Sequence, residues 1–224
     1  MSKLAKIKHK LGMHRKKSYA LNELDLKLRK HIRFKNGFFI EAGANDGIKQ
    51  SNTLFFEKYF GWEGMLIEAI PDLSKKCGQN RPKCIVENCA LVSEDYHEDT
   101  IEIHYCGLMS IITNDNVNEF EHVKSGKRFL KEDESDYLVQ VPAATLSFLL
   151  DKHNIENIDL LSLDVEGYEL EVLKGLDFSR FRPKYMLIEV REGSNITENI
   201  SELYKIESVL SNNKNYSDVL FKKL

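Results

Sequence analysis

The chain has 224 residues, 42% of them hydrophobic and 30% charged, which is enough apolar material for a packed core and excludes wholesale disorder. Four prolines and twelve glycines exclude a collagen-like or low-complexity chain, and the lack of an apolar run of membrane-spanning length excludes a transmembrane helix. Residues 1–36 carry 12 Lys or Arg against 2 acids, a balance of +10, while the other 188 residues carry 20 against 33, a balance of −13.

The charge asymmetry sets residues 1–36 apart as a basic N-terminal arm and residues 37–224 as one domain. Such an arm suits contact with an anionic surface or simply a solvated lead-in. It lacks the interleaved aromatics of single-strand binders, so no nucleic-acid partner is expected. It is also too basic and too poor in apolar residues for a secretion signal. Leu21, Leu24, Leu28 and Ile32 recur every three or four residues, which predicts an amphipathic helix over 21–34 docked on the domain.

From Gly37 the pattern alternates. Phe38 to Ala42 reads as a strand and Ser51 to Phe60 as a helix with Ser51 at its N-cap. Met65 to Glu68 is a second strand, and Pro71 to Asn80 a helix with proline at an allowed N-terminal position. Lys83 to Leu91 reads as a third strand. Thr100 to Tyr105 alternates apolar and polar residues, as a half-exposed strand does. Residues 107–136 are long, polar and weakly patterned, the sequence character of a lid or binding loop.

Further along, Tyr137 to Val141 is predicted as a strand and Thr145 to His153 as a helix. Ile158 to Asp164 is a buried strand ending in an acid. Gly167 to Lys174 is a helix closed by Gly175 as a C′ residue. Tyr185 to Val190 is another buried strand, Thr197 to Leu210 the last helix, and Asp218 to Phe221 a terminal edge strand. Uniformly apolar strands separated by helices predict an α/β, Rossmann-like fold, a mostly parallel sheet covered on both faces.

Three features carry chemistry. The first strand runs into Glu41-Ala42-Gly43-Ala44-Asn45-Asp46-Gly47, a glycine-rich turn at the carboxyl end of a strand, where open α/β sheets bind ligands. Asn45 stands where a dinucleotide fingerprint needs its second glycine, which counts against an NAD(P)-dependent oxidoreductase. The second strand ends in Glu68, placed to accept hydrogen bonds from ribose hydroxyls. Two later strands deliver Asp164, Glu166 and Glu189 to the same edge. Burying such acids is costly unless they are paired, hydrogen-bonded or metal-bound, so these three are the candidates for polar chemistry. The plainer role for Asp164 is to cap the helix that follows.

Other chemistries find no support. The seven histidines show no metal-binding spacing. Neither a nucleophile elbow nor a P-loop is present. Four cysteines without C-x-x-C spacing fit reduced thiols, and hence a cytoplasmic setting.

Phe39 to Gly47, Ser51-Asn52-Thr53, Gly61-Trp62-Glu63-Gly64, Leu66-Ile67-Glu68, Asn80-Arg81-Pro82 and Leu163 to Glu169 occur in an order that resembles the FkbM family of methyltransferases, over about residues 36–191. The resemblance implies a class I methyltransferase fold that uses S-adenosylmethionine to methylate an oxygen, often a sugar or polyketide hydroxyl. By position, Glu41, Gly43, Asn45 and Gly47, helped by Asn52, would hold the cofactor's methionine end. Glu68 would hold its ribose, Asn88 and Ala90 would lie near its adenine, and Asp164 would stand beside the transferred methyl.

An alcohol needs help to lose its proton. Asp164, with Glu166 or Glu189, is expected either to take that proton or to hold Mg²⁺, with Asp164 and Glu189 as the metal ligands. A small-molecule or glycan acceptor is expected. The alternatives are the oxidoreductase or a catalytically inactive methyltransferase-fold binding module.

Overall fold

The computed structural model describes residues 17–107, 110–112, 126, 128, 130 and 134–224. Most of the basic arm and of the 107–136 loop lies outside them.

The expected lead-in helix begins as a 3₁₀ turn at Leu21–Glu23 and continues as α1 (Leu24–His31). Leu24, Leu28 and Ile32 are buried, so the apolar stripe does dock on the domain. Then come β1 (Phe38–Ala42), α2 (Leu54–Phe60), β2 (Glu63–Ile67), α3 (Pro71–Asn80), β3 (Ile85–Glu87), β4 (Ala90–Leu91), β5 (Thr100–Tyr105), β6 (Ile111–Ile112) and β7 (Tyr137–Ala144). The second half adds α4 (Leu146–Lys152), β8 (Leu160–Leu163), α5 (Glu169–Lys174), β9 (Tyr185–Arg191), α6 (Ile196–Ile200), β10 (Tyr204–Asn212) and β11 (Tyr216–Lys223).

Among the described residues, the main sheet has seven strands in the order β10-β11-β9-β8-β1-β2-β3. Its five strands from β9 to β3 are parallel, and β11 and β10 add an antiparallel end. A smaller sheet, β4-β7-β5-β6, lies beyond. Successive residues of a strand face opposite sides. Ile40, Leu161 and Ile188 therefore pack with α4, α5 and α6, while Phe39, Leu160 and Leu187 pack with α1 and α2. Both faces are covered, as the apolar strands predicted.

Several boundaries differ from expectation. Residues 83–91 divide into β3 and β4, which belong to different sheets. The helix expected over 197–210 ends at Ile200, and β10 follows. Register shifts between Ile206 and Ser208 and between Val209 and Ser211 each insert a residue. The apolar side chains then fall at helix-like intervals although the backbone is extended. The segment at 218–221 is no edge strand, because β10 covers β11 on its open side. Gly175 has φ −85°, so it is no left-handed cap. A Cβ there would lie 2.1 Å from the Val92 carbonyl oxygen, so close packing is what requires the glycine.

Candidate active site

β1 is flanked by β2 on one side and β8 on the other, so the chain's crossovers leave in opposite directions there. That arrangement opens a crevice at the strands' carboxyl ends. A cavity of about 520 Å³ occupies it, within the range of small-molecule sites. Its wall includes the turn after β1, Glu68 after β2, Asp164 and Glu166 after β8, and Glu189 on β9, with Ile103 and Ile112 contributed by the smaller sheet.

The turn is built by close approach. Gly43 has φ +80°, and a Cβ on it would lie 1.9 Å from the Asp164 carbonyl oxygen. Asn45 takes left-handed backbone at φ 51°, and its N–H donates to Glu68 Oε2 at 2.7 Å. Glu68 Oε1 accepts from the Ile70 N–H at 2.9 Å. Each Glu68 oxygen thus keeps a lone pair that a ligand hydroxyl could use. Burial pushes the Glu68 carboxyl up to about 7, against the pull of those backbone N–H groups.

The remaining predicted cofactor residues separate into those that face the cavity freely and those that support it. Ala90 lines the cavity. Asn88 is not among its lining residues; its side-chain amide donates to the carbonyls of Glu68 and Ala69 and fixes the end of β2. Gly47 is likewise off the wall and closes the turn, donating to the Ala44 carbonyl at 2.8 Å. Glu41 reaches the wall, but its carboxylate is taken up by the protein. It accepts from the Asn52 N–H at 2.6 Å, Ser51 Oγ at 2.8 Å, Thr53 Oγ1 at 2.6 Å and Arg81 Nη1 at 3.0 Å. Ser51 Oγ accepts from the Leu54 N–H at 3.0 Å, so it caps α2 from three residues before the first helical one. Asn52 donates its amide to Ser162 Oγ at 3.1 Å. Its Oδ1 is buried on the cavity wall without a hydrogen-bond partner among the described residues, an acceptor that a ligand N–H could satisfy.

The acids lie in one row. β1 and β8 pair Glu41 with Ser162, and β8 and β9 pair Ser162 with Leu187. Two residues further along each strand come Gly43, Asp164 and Glu189, and β11 places Asp218 opposite Glu189. Arg191 follows Glu189 on the same side of β9. Its Nη2 donates to Glu166 Oε2 at 2.6 Å and its Nε to Glu189 Oε1 at 3.1 Å. Glu169 Oε1 accepts from the N–H groups of Val165 and Gly167 at 3.0 Å and supports a turn in which Glu166 itself has positive φ.

Asp164 makes no hydrogen bond through its carboxylate among the described residues, and that carboxylate opens on the cavity. Asp164 is exposed to the open cavity, but the protein mass around that cavity, then the charges of Glu189 and Glu166, hold its carboxyl above the usual carboxylate range. Burial pushes Glu166 up to about 7, opposed by Arg191. Burial and the neighbouring Glu166 charge push Glu189 up to about 8.

All three predicted acids therefore meet at the cavity. Oxygens of Asp164, Glu169 and Glu189 lie within 4.8 Å of one another, a set that could hold a hard divalent cation. Sequence reasoning passed over Arg81, Arg191 and Glu169. Arg191 was signalled by its place two residues after Glu189 on a strand, which puts both on one face. Arg81 stood in the Asn80-Arg81-Pro82 motif, but nothing in that motif shows that its side chain reaches back to Glu41.

Residues 41–216 match the family model for the methyltransferase FkbM domain. Methyltransferase 1 of Beauveria bassiana (strain ARSEF 2860) is 35% identical over 162 residues, which cover 63% of this chain and 59% of that relative. A crystal structure of methyltransferase FkbM from Methylobacillus flagellatus KT superposes with a TM-score of 0.52 at 16% identity, covering 85% of this chain and 44% of its own. The chain thus spans less than two thirds of either protein's length. The architecture is the class I methyltransferase fold.

Proposed function

The chain belongs to the FkbM methyltransferase family, and from that premise we propose that it transfers a methyl group from S-adenosylmethionine to a hydroxyl oxygen of a sugar or glycan. The observation that carries this reading is that one cavity joins Glu68, the Gly43–Asn45 turn, the unpartnered Asn52 Oδ1 and the Asp164 carboxylate. These groups fit the cofactor. Glu68 suits the ribose hydroxyls, Asn52 Oδ1 suits an ammonium donor, and the row of acids suits a sulfonium cation. Bound there, S-adenosylmethionine supplies an electrophilic methyl carbon on a positively charged sulfur.

The protein's part is alignment and proton removal. The turn at Gly43–Asn45, Glu68 and Asn52 would hold the cofactor so that an acceptor oxygen could approach the methyl in line, and such alignment can contribute several kcal/mol to lowering the barrier. The cofactor would supply the methyl and its sulfur would keep the electrons of the broken C–S bond, which leaves the hydroxyl proton for the protein to take up. The hydroxyl proton would pass to Asp164, whose carboxylate opens on the cavity and is made a stronger proton acceptor by the charges of Glu189 and Glu166. Arg191 limits those charges.

A second reading routes acceptor activation through a divalent cation on Asp164, Glu169 and Glu189, favoured by their convergence. Proton transfer is preferred because Glu189 is shared with Arg191 and Glu169 Oε1 with two backbone N–H groups. Amides of Gln50 and Asn215 on the cavity wall support a hydroxyl-rich acceptor. The basic residues before Ser18 are assigned to an anionic surface, and four cysteines without C-x-x-C spacing support a reducing, cytoplasmic setting. No helix among the described residues is long and apolar enough to cross a membrane.

The test is incubation with isotope-labelled S-adenosylmethionine and a panel of unmethylated sugars and nucleotide sugars, read by mass spectrometry. Label in an O-methyl ether is expected. Bound S-adenosylhomocysteine with no transfer to any acceptor would favour the inactive binding module instead.

A further inference from the structure

We infer that the C-terminal turn of α3 clamps the cofactor-facing loop 43–53 from behind, and that Arg81 is a positioning residue for S-adenosylmethionine. The inference rests on the methyltransferase reading above and adds to it a group that never touches the ligand.

Three residues of one turn grip the loop in sequence. Cys77 Sγ donates to the Asn45 carbonyl at 2.9 Å, and burial pushes its thiol up to about 12, so it keeps the proton it donates. Asn80 Nδ2 donates to the Asp46 carbonyl at 2.8 Å. Arg81 Nη1 then reaches Ser51 Oγ at 3.1 Å, Thr53 Oγ1 at 3.0 Å and Glu41 Oε2 at 3.0 Å. Its Nε is anchored on Glu57 Oε2 at 2.6 Å, and its guanidinium lies 4.9 Å from the centre of the Phe39 ring.

Arg81 is wholly buried and absent from the cavity wall. A buried ion pair is weak evidence for stability, because well-packed apolar residues often serve as well. A planar fork that meets two carboxylates and two hydroxyls instead fixes geometry. The loop needs such fixing. Asn45 and Gln50 both take positive φ, a strained choice for residues with a Cβ that persists only where the surroundings impose it. Arg81 holds Ser51 and Thr53 of the loop, and Glu41 at the end of β1, while Gly43, Asn45 and Asn52 line the cavity. The clamp therefore supplies affinity by preorganisation.

The test is calorimetric titration of the full chain with S-adenosylhomocysteine, with unfolding midpoints measured alongside. Asn80 is exposed and its side chain makes this one hydrogen bond among the described residues, so Asn80→Ala should weaken binding about 3-fold with an unchanged midpoint. Hydrogen exchange of the 45–53 amides should quicken in that variant and not elsewhere. Arg81→Lys keeps the charge but loses the fork, and should weaken binding about 10-fold or more. Tyr204→Phe removes a buried hydrogen bond to the Pro183 carbonyl away from the cavity and should bind as the wild type does.

Wild-type affinity in both Asn80→Ala and Arg81→Lys overturns the clamp. Should Arg81→Lys fail to fold, Asn80→Ala alone decides. Failure of the wild type itself to bind S-adenosylhomocysteine overturns the methyltransferase reading, and this inference with it.

Discussion

The backbone of Gly43 lies so close to Asp164 that a single added methyl at position 43 would stand 1.9 Å from the Asp164 carbonyl oxygen. The glycine-rich turn on the cavity wall and the strand end that carries Asp164, the proposed base, are thereby locked to each other. Gly43→Ala must displace one of them and also hold alanine at φ +80°. The backbone strain alone is worth about 1–2 kcal/mol. The variant should lower the denaturant midpoint by at least that equivalent and lose most S-adenosylhomocysteine affinity. A variant as stable and as tight-binding as the wild type would show that the contact does not constrain the site.

Asp164→Asn removes the group assigned to take the hydroxyl proton while preserving its size. Turnover should fall by about 10²–10⁴-fold, with cofactor affinity changed only a few-fold. Steady-state kinetics and a binding titration on the same preparation separate the two effects. Unimpaired turnover would remove Asp164 from the chemistry.

The acids also shape stability. Glu68 and Glu166 at about 7 and Glu189 at about 8 hold protons in the folded state that the unfolded chain releases near its ordinary carboxylate range of about 4.3. The folded state therefore binds more protons between those limits. Their contribution is complete below the unfolded value and is lost as the pH rises through 7 to 8. The thermal midpoint of the ligand-free protein should fall between about pH 5 and 8 and level off above, and Glu189→Gln should flatten that fall. Equal slopes in the two proteins would contradict the burial of an ionisable Glu189.

The same row of carboxylates should distinguish cofactor from product. S-adenosylmethionine carries a sulfonium charge that S-adenosylhomocysteine lacks, and ionised carboxylates attract it. The affinity ratio in favour of S-adenosylmethionine should rise as pH increases through 7 to 8. A ratio independent of pH would place the sulfur away from Asp164 and Glu189.

Proton transfer to Asp164 also predicts that activity survives EDTA treatment and dialysis. Loss of activity restored by Mg²⁺ would transfer the role of Asp164, Glu169 and Glu189 to cation binding.

Much of this was legible in the sequence because strands declare themselves by composition. The strand ends that deliver Glu68, Asp164 and Glu189 were visible as apolar runs stopping at an acid. What remained hidden depends on contacts made at long range. Glu41 looks like a ligand residue beside the glycine turn, but Arg81, 40 positions later, claims its carboxylate. Asn88 sits at a strand end, yet it turns to the carbonyls of Glu68 and Ala69. β10 was masked by its two bulges, which give extended chain the apolar spacing of a helix.

The most direct test is a crystal structure of the protein with S-adenosylhomocysteine. The account predicts density in the cavity, with the ribose hydroxyls on Glu68, the amino group on Asn52 Oδ1 and the sulfur facing Asp164. An empty cavity, or a ligand whose sulfur lies remote from Asp164, would contradict it.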